Sequence, residues 1–137
     1  MKAKEYLRQY EDLNRIAQRL KAEYQLEIEK IDAIGSTLSG EPGMPHGTGI
    51  SRKTEDKAIR LADKALKWKE AELEALQKRQ EVFELIHGIR GVEGDVLYHK
   101  YIELMKWEEI ALVMNYTVRG IWYVHGRALQ IVAEKLK

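Results

Sequence analysis

The segment from Trp107 to Arg127, WEEIALVMNYTVRGIWYVHGR, constrains this chain more than any other. Ile110, Ala111 and Met114 recur at helical spacing, Asn115-Tyr116-Thr117 interrupts them, and Ile121 and Val124 resume the spacing. Two short amphipathic helices around so brief a break fit the helix-turn-helix arrangement, each burying its apolar side against the other. Ala111 is small where the two helices approach. Asn115 is one of the few residues besides glycine that enters left-handed backbone cheaply, as the turn requires. Thr117 is a good N-cap for the second helix. Ile110, Met114, Tyr116, Ile121 and Val124 are expected to form the small core that sets the crossing angle.

Two helices of this length bury too little apolar surface to stand alone, so a supporting helix is needed. Asp95 is expected to cap one that runs to about Met105, with Leu97, Tyr101, Leu104, Tyr98 and Met105 available to face inward. The last helix is expected from near Val118 to about Leu136, with Leu129, Val132 and Leu136 extending its apolar side. Together these make a three-helix domain over 95–137.

The first half has a different texture. From Ala3 to about Ile34, apolar residues stand three or four apart, at Leu7, Tyr10, Leu13, Ala17, Leu20, Tyr24, Ile28 and Ile31. That is a near-heptad stripe on one long helix, which needs a partner to cover it. Gly35 follows as a C-cap would. The stretch 35–54, GSTLSGEPGMPHGTGISRKT, holds both prolines and has no periodicity, so it is expected to be a flexible linker. A second long helix is expected from Glu55 to about His87, with Thr54 as an incomplete cap. Its stripe is expected to be Ala58, Leu61, Ala62, Ala65, Leu66, Leu73, Leu76, Phe83 and Ile86, with Trp68 ambiguous. The expected fold is therefore all-α: a long N-terminal antiparallel helical hairpin of coiled-coil type (1–87), a glycine-rich joint (88–94), and the helix-turn-helix domain (95–137). The two stripes can also pair between chains, which would make a homo-oligomer; spacing alone leaves both arrangements open.

Composition narrows the chemistry. The chain has no cysteine, which suits a reducing cytoplasm and leaves no thiolate chemistry. No apolar run approaches a membrane span, and Glu5, Arg8, Glu11 and Asp12 interrupt any signal-peptide core. No two of His46, His87, His99 and His125 stand four apart, so no helical zinc motif is present. The linker glycines lack the Gly-Lys-Ser/Thr of a phosphate-binding loop. Glu108 and Glu109 lie where they complement the positive end of a helix dipole rather than forming an acid–base pair. The expectation is a protein without catalysis, metal or cofactor.

Net charge is only +1, but it is unevenly spread. From Thr117 onward Arg119, Arg127, Lys135 and Lys137 stand against Glu134 alone, a local excess of +3. In a helix-turn-helix the N-terminal half of the second helix meets the major groove of double-stranded DNA. With Ile121 and Val124 inward, the outward candidates are Thr117, Val118, Arg119, Gly120, Trp122 and Tyr123. Arg119 carries the donor fork that fits guanine edges, and Val118 suits a thymine methyl. Lys106, Tyr123, His125 and Arg127 are placed for phosphates.

WEEIA, the turn at Asn115 to Thr117, and Arg127-Ala128-Leu129 make this stretch resemble region four of bacterial sigma factors, which reads promoter DNA. The chain as a whole resembles small phage-encoded proteins that begin MKAKEYL, carry a Gly-Ser-Thr-Leu-Ser-Gly linker and end WEEIA…HGRAL. These are grouped with late transcription regulators of the RinA and ArpU kind. The resemblance implies a phage-type DNA-binding transcriptional regulator in the bacterial host cytoplasm, its N-terminal hairpin serving self-association or contact with host RNA polymerase. Trp122 and Tyr123 stand where these relatives carry polar or basic residues, and Lys106 where they carry Ser or Thr. The exposed aromatics, the near-neutral charge, and Gly120 and Gly126, which weaken the second helix, also suit another class, a structural or adaptor protein of phage assembly or DNA packaging whose hairpin is the working surface.

Overall fold

The computed structural model describes residues 2–38 and 52–137, and every regular element in them is helical. Two long helices come first, α1 (Ala3–Leu38) and α2 (Arg52–His87). Then follow α3 (Val92–Leu97), a π-helical turn (Tyr98–Ile102), α4 (Trp107–Met114) and α5 (Val118–Lys135). The middle of the expected linker lies outside the described residues. Its flanks are helical: α1 continues through Gly35 instead of ending there, and α2 begins before Thr54, so neither residue caps as expected.

The chain divides into two compact units, and the division falls within the long helices rather than at the glycine-rich joint. One unit is Arg15–Glu72, where α1 and α2 lie side by side within one chain. Tyr24 stacks on Trp68 at 5.4 Å between centroids, and Lys64 pairs with Glu27 at 3.0 Å. Moving up α1 from Tyr24 to Glu27 moves down α2 from Trp68 to Lys64, so the pair is antiparallel. The stripe expected on α1 faces inward in this unit: Ala17 is buried and Leu20, Tyr24, Ile28 and Ile31 are half-buried.

The stripe expected on α2 is only partly right. Leu66, Leu73 and Leu76 are exposed, whereas Ala75, Val82 and Ile86 are buried. Leucine and alanine are spread around this helix so evenly that two stripes satisfy the spacing. The inward one uses small residues and the stems of half-buried charged ones such as Glu72 and Arg79.

The second unit joins Met1–Asn14 and Leu73–Lys137. Its larger core packs Leu7 of α1 with Val82, Ile86 and Ile89, with Leu97, Tyr101 and Ile102, and with Ala128 and Val132 of α5. The C-terminal helices therefore share one core with the ends of the long helices. The supporting segment differs from the single capped helix expected over 95–105. It starts at Val92 after Gly91, whose φ of 87° is left-handed, and Asp95 lies inside it. Gly94 is buried there, and only glycine fits because a Cβ would run into the Ile89 carbonyl. The π turn then lets the neighbours Tyr101 and Ile102 both reach the interior. Leu104 adopts a left-handed φ of 57° and ends half-exposed rather than in the core, which stops this segment before α4.

Candidate nucleic-acid interface

The turn between α4 and α5 follows the local chemistry of its residues. Asn115 is left-handed (φ 59°, ψ 44°); its N–H donates to the Leu112 carbonyl and the Tyr116 N–H to the Ala111 carbonyl (2.9 Å). This pair of bonds is a Schellman closure, with asparagine in the position glycine usually takes. Thr117 is extended and caps α5, its Oγ1 accepting from the Gly120 N–H at 3.0 Å. A second small core locks the motif: Ile110 and Ala111 of α4, Ile121 and Val124 of α5, and Val96 of α3, with Met114, Trp107 and Val118 packed around it. Tyr116, expected in this core, is exposed instead, because the Schellman turn carries its ring outward.

On α5 the inward positions are Ile121, Val124, His125, Ala128 and Val132. At 100° per residue the opposite side is Arg119, Tyr123, Gly126 and Gln130, with Trp122 on one flank and Arg127 on the other. Arg119 is exposed and makes no ion pair among the described residues, so its five donors are open to solvent. Trp122 is 55% exposed and Tyr123 73%. The Arg127 guanidinium lies over the Tyr123 ring at 5.5 Å and approaches Glu93 at 3.6 Å. Thr117 is exposed but its hydroxyl is engaged by the cap, and Val118 is half-buried against the small core. Lys106 stands exposed at the N-cap of α4 without a side-chain capping bond.

His125 does not belong to this surface. It is 8% exposed, and its Nε2 bonds Tyr101 Oη at 2.6 Å while the Trp107 ring meets it edge-on at 4.8 Å. The expected phosphate contact fails because His125 stands four residues after Ile121 and three before Ala128, on the inward side. Burial holds its imidazole down to about 4, with Lys4 and Lys100 acting in the same direction. Burial likewise pushes the Tyr101 phenol up to about 12. Both groups are therefore neutral at pH 7, and the phenol donates to the imidazole.

Three surface residues went unremarked in the sequence. Lys100 bonds the Met105 carbonyl at 3.4 Å and lies 4.5 Å from the Trp107 ring centroid, placing a cation beside the start of α4. Leu112, 83% exposed, and Val113 face out from α4. Their orientation follows from the same spacing that turns Ile110, Ala111 and Met114 inward.

Among the described residues no group of His, Asp or Glu side chains could hold a metal ion, and no helix is long and apolar enough to cross a membrane. No protein-family model, curated protein or solved structure matches the chain.

Proposed function

We propose that this protein is a non-catalytic DNA-binding transcriptional regulator of the phage type, working in the cytoplasm of a bacterial host. In this reading α5 enters the major groove of double-stranded DNA. The observation that carries it is the outer side of α5: Arg119 stands open near the N-terminus, and no carboxylate occurs on the helix before Glu134. An outward helix face with cations and no acid suits a polyanion. Arg119 is the residue for base edges, and Lys106 and Lys100, beside the N-terminus of α4, are placed for backbone phosphates. Trp122 and Tyr123 are not covered by the rest of their own compact unit, so the face stays available. The long helices serve self-association or contact with host RNA polymerase. A pair of copies doubles the phosphate contacts, which a chain of net charge +1 needs for useful affinity.

An adaptor role has specific support in the exposed Leu66, Leu73 and Leu76 of α2. Fluorescence-anisotropy titration with duplex fragments over a salt series separates the two. Sequence-selective binding with a steep salt slope supports the regulator. No binding near physiological salt rejects it and turns attention to α2.

A further inference from the structure

Helix interiors disfavour glycine more than any residue except proline, so an interior glycine needs a reason. Most of the described glycines in the compact unit that carries α5 have one in the chain itself. Gly91 has left-handed backbone, and a Cβ on Gly94 would strike the Ile89 carbonyl. A Cβ on Gly120 would sit 3.1 Å from Thr117 Oγ1, the atom that caps α5. Gly126 has no such reason. It lies in the middle of α5, it is exposed, its φ is not positive, and nothing lies within 4 Å of where its Cβ would be.

Gly126 also has a particular address. It lies seven residues after Arg119 and three after Tyr123, on the outer side of α5, and Arg127 follows it. The ring of Tyr123 beside it is backed by the Arg127 guanidinium, which in turn leans on Glu93. The bare patch of backbone is thus bordered by an open cation and an aromatic ring with a cation against it, and by no acid on the same helix before Glu134.

We infer that Gly126 is a DNA-contact position: the missing side chain lets the α5 backbone sit directly against the duplex, so that the contact reaches beyond the first turns of the helix. The occupant is duplex DNA rather than a protein because the border is cationic. This rests on the reading of α5 as the DNA-facing helix and extends it to a residue without any polar group.

The test is Gly126→Ala, with Gly126→Gln as a bulkier step. Affinity is measured by anisotropy on a short duplex that the wild-type chain enriches most from a random-sequence library, and stability by thermal melting. Alanine meets open space in the free protein and is a better helix former, so Tm rises by a few degrees. Affinity falls at least about tenfold for alanine and further for glutamine, with the salt slope unchanged because no cation is lost. A raised Tm with affinity within about twofold of wild type overturns the inference while leaving the DNA reading intact. An unchanged or lowered Tm also overturns it, because the chain itself then needs the glycine. Enrichment of no duplex by the wild-type chain rejects both.

Discussion

The phenol of Tyr101 donates to Nε2 of His125 across 2.6 Å in the protein interior, tying the π turn to the middle of α5. Tyr101 belongs to the larger core and His125 follows Val124 of the smaller one, so this bond lies where the two cores meet. It adds a polar tie to the apolar packing of Ile121, Val124, Ala128 and Val132 that turns this side of α5 inward.

Tyr101→Phe keeps the ring and removes the donor. A buried imidazole nitrogen left without its partner costs about 1–3 kcal/mol. Urea unfolding should show an unfolding free energy lowered by that amount, as a lower midpoint with an unchanged m-value. A loss under about 0.5 kcal/mol would mean that the bond is not the one holding α5.

The pH dependence follows from His125. Its folded value near 4 lies below the ordinary 6.5, so between these values the unfolded chain binds a proton that the folded chain refuses. The stability tied to a neutral His125 is fully present above about pH 6.5, declines as the pH falls toward 4, and is gone below it. The full difference is about 3 kcal/mol. Unfolding free energies at a series of pH values should show this slope, and His125→Gln, which stays neutral and can still accept from Tyr101, should flatten it. An identical slope in the variant would assign the effect to other groups.

Thr117→Ala removes the acceptor for the Gly120 N–H. Loss of an N-cap costs about 1 kcal/mol. The first turn of α5 should fray, seen as faster amide exchange at Gly120 and Ile121, while the core positions 124–132 keep their protection.

Arg119→Ala tests the proposed DNA-facing surface directly. If the guanidinium meets a guanine edge, binding to a selected duplex weakens by about 1–3 kcal/mol and sequence preference relaxes at one position. An equal loss on all sequences, with a salt slope reduced by about one, would assign Arg119 to a phosphate instead.

The sequence by itself determined what depends on neighbours along the chain. The break at 115–117 was legible because a left-handed asparagine, an N-capping threonine and two helical periods act within a few residues of one another. The stripe on α1 was legible because most of its large apolar residues recur three or four apart on one side, with Ile16 and Leu26 off it. Arg119, Trp122 and Tyr123 could be placed outward by counting from Ile121 and Val124.

Tertiary structure decided the rest. Which face of α2 is buried depends on what lies against it, and a helix with leucine on several sides states no preference. His125 reads as a polar surface residue until Tyr101, 24 positions earlier, supplies a bond that lets it be buried. The π turn and the left-handed Leu104 carry no sequence mark, because the wider turn is held by packing Tyr101 and Ile102 inward together. The boundary between the compact units falls inside two unbroken helices for the same reason: cores are defined by contacts among distant residues, and Leu7, Val82 and Val132 meet only in the folded chain.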